Sequence, residues 1–163
     1  EPLEELFENP VWVGGFLMAT GLMLLSTRWI RIGRSTLTWR KALIMGLFQA
    51  LAILPGISRA GSTITAGLLV GLPREEAARF SFLMVIPVIG GATLLELLDL
   101  LQQDGGLVLS EQIGTLSIGF LTSLIVGLAS LSLLVKLLKQ NSFHHFGWYC
   151  LAIGAAAIGW FIR

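Results

Sequence analysis

One arginine in the middle of an apolar stretch constrains this chain more than any other feature. Residues 42–58 carry no charge, residues 60–73 carry none, and Arg59 stands between the two runs. A guanidinium keeps its charge in any protein environment. At bilayer depth such a charge costs about 2.5–3.5 kcal/mol on insertion scales, so it survives there with a partner and a function. Around it runs Leu54-Pro55-Gly56-Ile57-Ser58-Arg59-Ala60-Gly61-Ser62-Thr63. Pro and Gly break one helix here, and another begins near Ser58.

The setting is a membrane. The chain of 163 residues is 55% apolar and only 13% charged, where soluble domains carry about 25% charged residues. The expected fold is all-α, a polytopic integral membrane protein forming one membrane domain over 1–163. The net charge of +1 carries no message, and nothing points to nucleic acid. Cys150 is the single cysteine, so no disulfide forms within the chain, and it is expected packed or facing lipid. The chain opens on Glu1 with no signal peptide ahead of its first apolar run, and reads as a piece of a longer protein whose front is missing.

Hydropathy and charge set the topology. Glu1, Glu4, Glu5 and Glu8 make an acidic start, and residues 11–27 form a charge-free run of 17, near the minimum for a span. Arg28, Arg31, Arg34, Arg40 and Lys41 follow, flanked by Trp12, Trp29 and Trp39 as interfacial aromatics. Two short apolar pieces, 41–54 and 58–72, would each reach only about 20 Å against a hydrocarbon core of about 30 Å. Pro73-Arg74-Glu75-Glu76 opens a further helix with acids in its first turn, and Pro87 is expected to kink it. Asp99, Asp104 and Glu111 mark an acidic loop containing Gly105-Gly106. Residues 112–135 are 24 uncharged positions. A basic loop with Lys136, Lys139, His144 and His145 leads to the last span, ending at Arg163.

Basic loops 28–41 and 136–145 belong inside, and the acidic start and loop 99–111 outside. A single crossing by 41–72 puts loop 99–111 on the wrong side. A re-entrant helical hairpin over 41–72, with its tip at residues 55–59, satisfies every loop. Four full spans remain, at roughly 11–29, 77–99, 112–135 and 146–162. Irregular backbone at that depth must line a cavity or be buried in protein. No internal repeat stands out, yet a half-helix pair is the usual unit of an inverted-repeat membrane protein. A partner hairpin is therefore expected from the missing amino-terminal half or from another subunit, as in a homodimer.

The tip reads as an anion site. The first amides of the second half-helix, at Ala60, Gly61 and Ser62, are expected free and backed by the helix dipole. Arg59 adds a planar fork for two phosphate oxygens. Ser58, Ser62 and Thr63 add hydroxyls, and Gly56 and Gly61 would let a ligand approach the backbone. Other polar positions have plainer readings. Gln49 suits a helix-packing hydrogen bond, Gly67 and Gly71 a small-residue packing pair, Glu96 and Asp99 a solvated rim, and His144 and His145 a surface loop.

The stretch from Gly46 to Thr63, with its core Pro55-Gly56-Ile57-Ser58-Arg59 and Thr63, resembles the second signature of the bacterial undecaprenyl-diphosphate phosphatases, the bacitracin-resistance family. Gly67-Leu68-Leu69-Val70-Gly71, Phe80-Ser81-Phe82-Leu83 and the run from Pro87 to Gly91-Ala92-Thr93 resemble that family in the same order. The resemblance implies an integral protein of the bacterial plasma membrane with inverted repeats and a site reached from the outer face. It implies hydrolysis of undecaprenyl diphosphate to the monophosphate, recycling the lipid carrier of cell-wall synthesis. On it, Ser58 and Arg59 fall on catalytic positions. Ser58, Arg59, Ala60, Gly61, Ser62 and Thr63 form the phosphate-binding stretch, with Gln49 and Gly56 in support. A divalent cation, Mg or Ca, is expected too, with ligands lying elsewhere.

The first signature of that family, a Glu-x-x-x-Glu helix followed by Pro-x-Ser-Ser-x-Gly-His, is absent from this sequence. By resemblance, then, this is a carboxy-terminal portion, expected inactive alone. The rival acid-phosphatase-like class fails, because six residues past Arg59, with five between, stands Thr65 rather than His. A transporter with an anion site at a broken helix, and a purely structural membrane subunit, are the other readings.

Overall fold

The computed structural model describes residues 9–30, 33–102, 105–140 and 142–161. The acidic start (Glu1, Glu4, Glu5, Glu8), Arg31, Asp104 and Arg163 lie outside the described residues. The helices are α1 (Pro10–Ser26), α2 (Trp39–Leu51), α3 (Arg59–Leu69), α4 (Arg74–Gln102), α5 (Gly105–Lys139) and α6 (His145–Phe161). No strand occurs among the described residues. Two compact units divide the chain: one ends at Phe82 and resumes at Leu137, the other runs over Leu83–Lys136.

In the first unit α1 packs on α6. Asn9 caps α1 by accepting the Val11 amide at 3.0 Å, with Pro10 in its first turn. Bare glycine backbones make the contact. A Cβ on Gly21 would lie 2.8 Å from the Gly147 carbonyl oxygen, and one on Gly154 would lie 2.7 Å from that of Gly14. The pairing of 14 with 154 and 21 with 147 makes the helices antiparallel. Removing side chains lets dispersion act between backbones, which is how helices associate where apolar solvent gives no hydrophobic drive.

The apolar stretch around Arg59 is two helices, not one. The α2 helix stops at Leu51, α3 starts at Arg59, and the two pack on one another. Both are shorter than the expected 41–54 and 58–72. Pro55 disfavours helical backbone at the residue before it, so α2 unwinds ahead of the proline rather than at it. Ser58 takes extended backbone and accepts the Gly61 amide on its hydroxyl at 3.1 Å, a helix N-cap. At the far end Gly71, at φ 83°, reverses the chain, with Gly71 N donating to Leu68 O and Leu72 N to Gly67 O, both at 3.0 Å. That is a Schellman stop, placed just before Pro73. The expected Gly67–Gly71 packing pair is thus only half realised. Gly67 packs, since a Cβ there would lie 2.7 Å from that of Ala77, while Gly71 turns the chain.

The acids Glu75 and Glu76 do lie in the first turn of α4, and Glu75 pairs with Lys139 at 2.8 Å. The helix continues through Pro87. The acidic loop is shorter than 99–111, because Asp99 lies in α4 and Gly105-Gly106 open α5 instead of sitting in a loop. Likewise Trp39, Arg40 and Lys41 form the first turn of α2, and Lys136 and Lys139 the last of α5.

In the second unit the described side chains of α4 and α5 are almost all exposed, among them Ile86, Leu95, Ile118, Phe120 and Ile125. Two helices are long and apolar enough to cross a membrane: Arg74–Asp99, 26 residues with mean hydropathy 2.0, and Ile113–Lys139, 27 residues at 2.3. The remaining two expected spans, α1 and α6, have 17 residues each and reach about 25 Å.

Gly147→Ala is expected to destabilise the protein by about 1–3 kcal/mol through overpacking, read as a lower midpoint of thermal unfolding in detergent. Gly15→Ala, with nothing within 4 Å of the added methyl, is expected to hold or raise stability by up to about 1 kcal/mol through better helix propensity.

Candidate functional site

The break from Ala52 to Ser58 carries backbone groups that no helix satisfies. Local turns take some: Ile53 N donates to Ala50 O at 3.2 Å, and Ile57 N to Leu54 O at 3.2 Å. Two more go to α1. Thr20, 1% exposed, donates its hydroxyl proton to the Gly56 carbonyl at 3.0 Å and accepts the Ser58 amide at 3.0 Å. One side chain thus satisfies a donor and an acceptor on opposite sides of Ile57. Gly56 sits at φ 95°, and a methyl there would run into the Val13 carbonyl and lie 3.2 Å from the Phe16 side chain. Its bareness therefore admits the α1 backbone rather than a ligand. Gly61 is filled in the same way, by Ser58 and Leu24.

The amides at the start of α3 are not all open. Gly61 N is capped by Ser58, and Ser62 N closes the first helical turn on Ser58 O at 2.9 Å. Among the described residues, the amides of Arg59 and Ala60 have no acceptor. Ser62 and Thr63 are buried at 2% and 1% exposure. Their protons go to carbonyls, Ser62 Oγ to Ser58 O at 2.8 Å and Thr63 Oγ1 to Arg59 O at 2.9 Å. Thr63 Oγ1 also meets Ser81 Oγ of α4 at 2.5 Å. Arg59 is exposed, and Ser58 and Ala60 are half-buried. Capping uses a lone pair of Ser58 and leaves its hydroxyl proton free for a phosphate oxygen.

Elsewhere some polar positions keep their plain readings and two, Gln49 and His144, depart from them. The expected packing hydrogen bond of Gln49 is not made, because its Oε1 is buried without a partner. His145 is exposed as expected and holds Ser142 O at 3.1 Å through Nδ1, whereas His144 is half-buried with Nδ1 unpartnered. Glu96 and Asp99 are exposed. No three His, Cys, Asp or Glu side chains stand together among the described residues, so these residues do not fit a divalent cation.

Sequence reasoning missed Thr20 and Ser81. Thr20 is the single hydroxyl between Val11 and Leu25, and a lone hydroxyl in an apolar helix facing a break with unsatisfied backbone was the available signal.

Residues 1–156 match the family model described as Bacitracin resistance protein BacA. The chain belongs to that family. It is 37% identical to a protein of Protochlamydia amoebophila over 99% of this chain and 63% of the relative. It is 40% identical to one of Desulfatibacillum aliphaticivorans over 95% and 55%, and 42% identical to one of Geotalea daltonii over 96% and 58%. All three relatives are named undecaprenyl-diphosphatase. The chain therefore spans 55–63% of their length. With this family and these apolar helices it is a membrane protein.

Ser58→Ala is expected to lower stability by about 1 kcal/mol through loss of the cap, and Ser58→Asn to restore most of it. Denaturant unfolding of the two variants in detergent reads the difference.

Proposed function

We propose that this chain supplies the phosphate-gripping portion of an enzyme that hydrolyses undecaprenyl diphosphate to undecaprenyl phosphate and inorganic phosphate. The observation that carries this reading is Arg59 exposed at the open amino end of a half-helix, on a chain whose relatives are named for that reaction. The groups offered to a phosphate are the Arg59 guanidinium, the Arg59 and Ala60 amides and the Ser58 hydroxyl. All are donors, and the positive end of the helix dipole lies behind them. Phosphoryl transfer depends mainly on such positioning and charge stabilisation. As an oxygen nucleophile attacks the terminal phosphorus, charge moves onto the departing prenyl phosphate, and a two-pronged fork can hold it. Ser62 and Thr63 support this end from inside.

The wider reading is a bacterial plasma-membrane protein with four spans (α1, α4, α5, α6) and a re-entrant hairpin made by α2 and α3. Its site opens to the outer face and its substrate's tail leaves sideways into lipid. The charge of the loops and the shortness of α2 and α3 support it. The nucleophile and base would come from a complementary amino-terminal half. A divalent cation would be held by residues outside this set, and no step here runs through one. The names of the relatives favour this reading over an anion transporter.

In the complete protein Arg59→Ala is expected to lower phosphate release from undecaprenyl diphosphate by about 10²–10³-fold, the effect of losing one oxyanion donor. Arg59→Lys is expected to remain at least about tenfold impaired, because a point charge replaces a fork. Wild-type rates in the lysine variant would overturn the role of the fork. The 163-residue chain alone is expected to release no phosphate until the complementary half is added.

A further inference from the structure

The start of α3 is clamped from two sides by hydroxyls that do not reach the open end. From α1, buried Thr20 bonds Gly56 O and Ser58 N, each at 3.0 Å. From the second turn of α4, Ser81, 1% exposed, bonds Thr63 Oγ1. Thr63 Oγ1 in turn stands 2.9 Å from the Arg59 carbonyl and 3.3 Å from that of Ala60; with its proton turned to the Arg59 carbonyl, Ser81 donates between the two hydroxyls. The two chains of hydrogen bonds end on adjacent residues. One ends on the amide of Ser58, the other on the carbonyl of Arg59, and they set the peptide from which the guanidinium leaves the hairpin. In the interior of a helix a threonine normally bonds the carbonyl one turn back. Thr20 instead turns its hydroxyl outward to the break, where a valine would fill the same space and satisfy neither group.

We propose that Thr20 and Ser81 are positioning residues for Arg59: neither touches the phosphate, and together they fix the direction of its fork. The kinetic consequence rests on the phosphatase reading above, while the clamp itself does not. Misplacing a catalytic group by about 1 Å costs about 100-fold in rate. The long apolar tail of the substrate offers binding that does not depend on the direction of the fork. The effect is therefore expected in kcat rather than KM.

The test uses the complete protein in lipid nanodiscs with undecaprenyl diphosphate as substrate. Thr20→Val and Ser81→Ala are expected to lower kcat by about 10- to 100-fold with KM little changed. Thr20→Ser, which keeps the hydroxyl and loses the methyl, is expected to retain most of the rate. A parallel arm places a nitroxide at position 59 (Arg59→Cys with Cys150→Ser) and reads its mobility by electron paramagnetic resonance. The label is expected to loosen with Thr20→Val and Ser81→Ala and to stay restrained with Thr20→Ser. Should Thr20→Val fail to fold, Ser81→Ala carries both arms. Unchanged kcat together with unchanged label mobility in a folded variant overturns the proposal. So does a Thr20→Ser variant as damaged as Thr20→Val, which would make the role one of packing. If the complete wild-type protein releases no phosphate while the label still loosens, the phosphatase reading fails and the clamp stands.

Discussion

A break in an apolar helix has to find partners for its freed backbone groups, and here one threonine supplies two of them. Away from water, an amide or carbonyl released between α2 and α3 carries a cost of several kcal/mol unless protein answers it. Thr20 answers both the Gly56 carbonyl and the Ser58 amide. Its reach depends on the α1 backbone coming close, which a side chain at position 56 would prevent. Gly56 and Thr20 are thus two halves of one device. The glycine lets α1 in, and the threonine holds the break once it is there.

The rest of the first unit serves the same contact. The antiparallel glycine pairs of α1 and α6 fix α1 by bare backbone, without long side chains to reorganise. The Schellman stop at Gly71 ends α3 after 11 residues, so its amino end, not its length, is what it offers. Ser58 then divides its chemistry: a lone pair caps the helix, and its proton stays free. Ser62 and Thr63 are hydroxyls of a different kind, turned inward and spent on carbonyls.

Much of this was legible from residue order, and the parts that were not share a cause. Pro55-Gly56 marks the break, and the capping stretch after it marks the second helix, because both are local effects of backbone and short side chains. Acids in the first turn of α4 were legible for the same reason. Element ends were misread in both directions, too far at 54 rather than 51 and too short at 99 rather than 102, since fraying and proline's reach backward shift boundaries. The amides of Gly61 and Ser62 were expected free, and a cap and the first helical turn occupy them. Gly56 and Gly61 were read as room for a ligand, when α1 fills it at Gly56 and the Ser58 cap with Leu24 fills it at Gly61. Thr20 lies 36 residues from the carbonyl it holds, and Ser81 lies 18 from its partner. No local pattern encodes such pairings. They become legible only by asking where a break's orphaned groups must go.

Residue-resolved amide exchange across positions 50–62 of the complete protein in nanodiscs tests the clasped break most directly. With the helix broken and held by Thr20, the Ser58 and Gly61 amides exchange slowly, while those of Arg59 and Ala60, left for a ligand, exchange quickly and slow down when phosphate is added. Uniform slow exchange through the whole stretch would reveal one unbroken helix and contradict the clasped break.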